Sequence, residues 1–239
     1  MKAGLEETTA ALLVRIGGLP DGRQVGLAVE SGHREAKASG GAVLRDLRKR
    51  GLEPWRCTIA DGAVGLWAAV GEQYPDLAEQ RGWNHKLGTV LEALPPKPQA
   101  TARALLRALP YAENQATGEA LRDQFSARYQ ALAPKAVDRL QDDGERLVTF
   151  SPFPPAHWVH LRTTPIVESP FAAGRLRTTA AKRFKNVENG TALIWKLLQV
   201  AEASFRRLKG AELLPAVYAG ARSVDGVRQS THTPQRIAA

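Results

Sequence analysis

The chain is poor in the residue types that advertise a chemistry. Of 239 residues, one is cysteine and one is methionine, and aromatics make up 6%. With Cys57 as the only cysteine, an intrachain disulfide and a multi-cysteine zinc site are both excluded. No apolar run approaches the ~18 residues of a membrane span. The opening "MKAGLEETTA" lacks the apolar region of a signal peptide, so the expected location is cytoplasmic and no membrane partner is expected. There is no glycine-rich phosphate loop, no Gly-x-Ser-x-Gly and no His-Glu-x-x-His, which leaves ATPase, hydrolase-elbow and zinc-protease chemistry without support. Among five histidines, His157 and His160 stand three apart in "HWVH". No carboxylate or cysteine flanks them at ligand spacing, and the neighbouring prolines oppose a regular helix, so they make a poor zinc site.

Positive charge is plentiful: 33 lysines and arginines against 24 acids, a net charge of +9. From Phe171 to the end there are twelve basic residues against four acidic ones, and Arg206, Arg207 and Lys209 crowd together near its middle. A concentrated basic end suits a polyanion, with a solvated helix face as the plainer alternative. Phosphate attraction of this kind supplies affinity without sequence choice.

The local patterns predict an α/β protein. "ALLVRI" and "VGLAVE", joined by "GLPDGRQ", predict a β-hairpin. "GGAVLRDLRKRGL" puts Val43, Leu44 and Leu47 on one helical face, with Gly51 as the stop. "PWRCTIADG" predicts a short strand ending at Asp61, and "AVGLWAAVGEQYP" a helix after it. From Leu87 to about residue 147 the texture is alanine, leucine, arginine and glutamate at three and four spacing, broken by prolines, which predicts a helical insertion in an α/β core. "GTALIWKLLQVAEASFRRLKG" predicts a long helix with a core face of Leu193, Ile194, Leu197, Leu198 and Ala201. Beyond Val224 the composition predicts a disordered tail. The expected division is 1–86 and 151–224 for the two parts of the core, 87–150 for the insertion and 225–239 for the tail.

Asp61 leaves a strand for a helix through Asp-Gly, at the edge where open α/β sheets build their sites. A helix N-cap is the competing explanation. Glu168 stands between Pro165 and Pro170 in "TTPIVESP". Divalent magnesium needs few carboxylates, completed by water and substrate phosphates, so two acids far apart in sequence suffice if the fold joins them. His85 in "QRGWNHK" has Arg81 and Lys86 nearby, a setting that suits phosphate better than a cation.

Six segments in order, "RDLRKRGL", "DGAVGLWAAV", "QRGWNHK", "FPPAHWVHLRTT", "ESPFAAGRLRT" and "KLLQVAEASFRRLKGAELL", resemble the Mutator-type transposases of bacterial insertion sequences, from about Leu12 to Val227. That resemblance implies an RNase H-like core interrupted by an all-helical insertion, with C-terminal helices. It implies an Asp-Asp-Glu triad holding two divalent ions, Mg2+ or Mn2+, with Asp61 as the second acid and Glu168 as the third. It also implies DNA strand cleavage and transfer at terminal repeats, and homo-oligomers. Arg81, His85, Lys86, Arg162, Arg175, Arg177, Lys182 and Arg183 are the residues expected to contact DNA.

Three departures from the family pattern shape the expectation. The triad's first aspartate falls upstream of Met1, so the chain is expected to be truncated and inactive as it stands. Gly82 replaces a cysteine usual in the family. The Thr-Thr-Asn-Pro-Ile-Glu-Ser pattern becomes "TTPIVES", where Pro170 and Gly174 disfavour the interior of a helix meant to aim Glu168. The alternative to an enzyme is a non-catalytic DNA-binding remnant, or a modulator of a full-length transposase.

Overall fold

The computed structural model describes residues 2–4, 9–32, 37–62, 64–163, 186–221, 223–224 and 226–229. It begins with strands β1 (Lys2–Gly4), β2 (Thr9–Gly18) and β3 (Gln24–Gly32), paired antiparallel in the order β1-β2-β3. The expected hairpin is therefore present and longer than its apolar runs. Leu13 faces Glu30 and Val14 faces Val29, and the register shifts between Arg15 and Ile16. Gly22, with φ of 83°, closes the turn.

Helix α1 (Lys37–Lys49) buries Val43, Leu44 and Leu47 as its spacing requires, and it stops before Gly51, at φ of 92°. Strand β4 (Cys57–Ala60), helix α2 (Val64–Gln73) and strand β5 (Ala78–Arg81) follow, with β5 parallel to β4. Alternation along β3 decides the layers. Val29 packs with Ile194 and Leu198 of the C-terminal helix, while its neighbour Ala28 packs with Val43 and Leu47 of α1. Behind α1, Leu44 meets Ala69 and Val70 of α2. Burial pushes the Cys57 thiol up to about 12, so it stays protonated and unreactive at neutral pH.

The helical block expected as an insertion comprises α3 (Trp83–Glu92), α4 (Gln99–Ala108), α5 (Gln115–Tyr129) and α6 (Pro134–Gln141). Helix α3 runs across residue 86, so the expected break between core and insertion falls inside a helix. The insertion has its own core, with Val90, Leu106, Phe125, Val137 and Leu140 all at or below 1% exposure. Asn114 caps α5 by accepting the Thr117 amide.

Three elements correct the sequence expectations. "PPAHWVHL" is a helix, α7 (Pro155–Leu161), because Pro154 and Pro155 sit at its cap and first turn, where no amide donor is needed. Helix α8 (Val187–Glu202) ends sixteen residues in, so "SFRRLK" is a strap outside the helix and not its last turns. That strap docks on the hairpin: the Leu208 amide donates to the Gly22 carbonyl (2.8 Å), and the Gly26 amide donates to Glu202 Oε2 (2.8 Å). After the short helix α9 (Leu214–Tyr218), Ser223–Val224 and Val227–Arg228 pair as strands β6 and β7. Gly226 to Arg228 of the expected disordered tail thus belong to a small hairpin.

The described residues form a mixed α/β protein with an antiparallel three-stranded sheet and a separate parallel pair. None of its described helices is long and apolar enough to cross a membrane.

Candidate active site

Strands β4 and β5 run parallel in register, with Ala60 opposite Arg81. Their carboxyl ends therefore lie side by side, and the residues that leave them meet. From β4 the chain turns at Asp61 and Gly62, the latter at φ of 84°. From β5 it turns at Gly82, whose amide donates to the Ala60 carbonyl (3.0 Å), and enters α3 at once. His85, in the first turn of α3, places Nε2 3.0 Å from Asp61 Oδ2, with both side chains about 40% exposed. Asp61 is thus a half-open carboxylate at the sheet edge, with an imidazole beside it.

The neighbouring cations are arranged differently from the sequence expectation. Lys86 is 3% exposed and places Nζ 2.9 Å from Asp143 Oδ2. Arg81, 7% exposed, has Nε 3.3 Å from the same oxygen. Both were expected on a DNA-facing surface. In the fold they point inward, because α3 and β5 converge on the loop that closes the insertion. Asp143 is a residue that sequence reasoning missed: "QDDGER" resembles any polar loop, and only its return to β5 singles out the second aspartate.

Strand β5 was also missed as an element, for "AEQR" carries no apolar run. It is held by polar bonding instead. The Arg81 amide donates to the Arg146 carbonyl (2.8 Å), buried Gln80 donates to the Leu147 carbonyl (3.2 Å), and Gln80 Oε1 accepts from the Phe150 amide (2.8 Å).

Arg162 occupies an aromatic cage. Its guanidinium carbon lies 4.7 Å from the Phe150 ring centre, 4.8 Å from Trp158 and 5.2 Å from Tyr111. Burial there lowers its pKa from the ordinary value, opposed by Tyr111. Its carbonyl accepts the Trp83 amide at 2.9 Å. The chain that continues to Glu168 therefore departs from beside the start of α3. Glu168, Arg175, Arg177, Lys182 and Arg183 lie outside the described residues.

His157 and His160 are engaged away from this edge. His157 Nε2 meets the Gly210 carbonyl (2.9 Å) and so is its protonated nitrogen, while His160 Nε2 accepts the Lys209 amide (2.8 Å). These two histidines clamp the strap, which accounts for them without zinc. No group of three or more histidines, cysteines or acids is assembled among the described residues. The donor chemistry at Asp61 nevertheless fits a hard divalent cation: a partly exposed carboxylate oxygen, steadied by an imidazole.

A profile of the family described as "Transposase, Mutator family" matches residues 5–207. The transposase for insertion sequence element IST2 of Acidithiobacillus ferrooxidans is 39% identical over 230 residues, which cover 96% of this chain and 78% of that protein. The transposase for element IS6120 of Mycolicibacterium smegmatis is 38% identical over 221 residues, 92% of this chain and 68% of the relative. The transposase for element ISRM5 of Rhizobium meliloti is 31% identical over 188 residues, 77% of this chain and 46% of its own length. Matches of this identity and extent to named insertion-sequence transposases show that the chain belongs to the Mutator family of transposases.

Proposed function

We propose that the chain performs, or descends from one that performs, metal-dependent DNA strand cleavage and transfer during transposition, with Asp61 and Glu168 as two carboxylates of a DDE-type site. The observation that carries this reading is the tether between them. Gly82 hydrogen-bonds to Ala60 next to Asp61, and Arg162 hydrogen-bonds to Trp83 next to Gly82. Five residues beyond Thr163 span up to about 17 Å, long enough for Glu168 to reach the Asp61 edge. An antiparallel meander followed by parallel strands, with the helical insertion between the two acids, supports an RNase H-like core.

In this reading Asp61 offers its carboxylate to Mg2+ or Mn2+, and His85 orients it through the contact at Oδ2. When bound, two such ions activate water or a 3′-hydroxyl and stabilise the leaving oxygen of an in-line displacement at a phosphodiester. Arg162, locked by three rings, fixes the root of the Glu168 segment. The DNA terminal repeats are the substrate, and the basic residues Arg206, Arg207 and Lys209 lie exposed on the strap to meet phosphates.

The experiment is incubation of the chain with DNA bearing its element's terminal repeats and Mg2+ or Mn2+, beside Asp61→Asn and Glu168→Gln. Nicking lost in both variants supports an active enzyme. Salt-sensitive DNA binding that persists in Asp61→Asn, without nicking, supports the alternative of a non-catalytic remnant. No binding at low salt and no nicking overturns both.

A further inference from the structure

We infer that Arg81 and Asp143 are positioning residues for the Asp61 carboxylate, through which the helical insertion sets the aim of the site; this rests on the metal-binding reading of Asp61. The geometry that leads there starts at Gly62. A Cβ at that position would overlap Nη1 and Cζ of Arg81. The guanidinium therefore lies flush on the turn that carries Asp61, in a space that only glycine leaves. Its other side is turned to Asp143, 3.3 Å from Nε. Asp143 closely follows α6, and its loop is stitched to β5 by the Arg81–Arg146 backbone bond and to α3 by Trp83 Nε1 on the Leu147 carbonyl (2.9 Å).

The same Asp143 oxygen holds Lys86, 2.9 Å away. Lys86 follows His85 in α3, and His85 stands against Asp61. One carboxylate at the end of the insertion thus fixes both flanks of Asp61: the turn behind it, through Arg81, and the imidazole beside it, through α3. Two cations on one largely buried carboxylate make the arrangement sensitive to its charge. Neutralising Asp143 removes the counter-ion that the two share, and with it that carboxylate's hold on their positions.

The test is Mn2+ binding to the chain, followed by electron paramagnetic resonance, for the parent, Asp61→Asn, Asp143→Asn, Asp143→Glu, Arg81→Lys and Leu140→Ala. Parent binding that is lost in Asp61→Asn establishes the metal reading. Asp143→Asn then weakens Mn2+ by about tenfold or more, the usual effect of removing a residue that orients a ligand, and Asp143→Glu recovers part of that loss. Arg81→Lys, which keeps the charge but not the fork, also weakens it and decides the matter if Asp143→Asn fails to fold. Leu140→Ala lowers the thermal midpoint through the insertion core and leaves Mn2+ affinity as it was. Unchanged affinity in Asp143→Asn or in a folded Arg81→Lys overturns this inference alone, as does an equal loss in Leu140→Ala. A parent that binds no Mn2+ through Asp61 overturns the metal reading with it.

Discussion

At the residue scale, Gly62 shows how tightly the Asp61 edge is built. Its φ of 84° is a conformation that side chains strain against, at about 1–3 kcal/mol, and a Cβ there would also displace the buried Arg81 guanidinium. Gly62→Ala is expected to lower the unfolding free energy by at least that strain, read as a lower urea midpoint. An unchanged midpoint would show that Arg81 has room to move. The Asp-Gly step was visible in the sequence, together with Asp61 as a candidate. Its helix N-cap alternative was equally visible, and only the parallel register of β4 and β5, with His85 3.0 Å away, gives the carboxylate a partner from another element. Lys86 shows the opposite case: its charge suggested phosphate, but a distant aspartate turns it inward.

At the element scale, α7 and the strap illustrate a pair of histidines that do structural work. His160 accepts the Lys209 amide only while Nε2 is unprotonated. Burial, then the proximity of His157 and Lys209, hold its pKa below the ordinary 6.5. The folded state therefore binds fewer protons at this group than the unfolded chain. Its stabilising contribution is fully present above about pH 6.5 and is lost as pH falls through the lowered folded value. The prediction is that a shift from pH 7 to pH 5 lowers the parent's urea midpoint more than that of His160→Gln. Equal pH profiles for the two proteins would remove His160 from the account. The insertion makes an independent element-scale prediction. Phe125, fully buried against Tyr129 at 4.7 Å between ring centres, should cost about 3–5 kcal/mol as Phe125→Ala, measured by denaturant unfolding.

At the scale of the whole molecule, the strap that docks on the hairpin brings charge to a defined surface. Arg206 and Arg207 are exposed while the backbone around them is tied down, with the Arg206 carbonyl accepting from Gln24 (2.6 Å). If they meet phosphates, Arg206→Gln with Arg207→Gln should reduce the salt dependence of DNA affinity by about two in the log–log slope, at little cost to stability. An unchanged slope would place the phosphate contacts elsewhere. The sequence by itself determined the family, the hairpin, α1 with its Val43–Leu44–Leu47 face and the all-helical texture of the insertion, because each is written in local periodicity or in an ordered set of motifs. Tertiary structure alone decided that polar β5 is a strand, that α8 ends at Glu202, and that Asp143 gathers Arg81 and Lys86 behind Asp61. The physical reason is that these outcomes depend on hydrogen bonds and ion pairs between segments dozens of residues apart, whose partners no local pattern specifies.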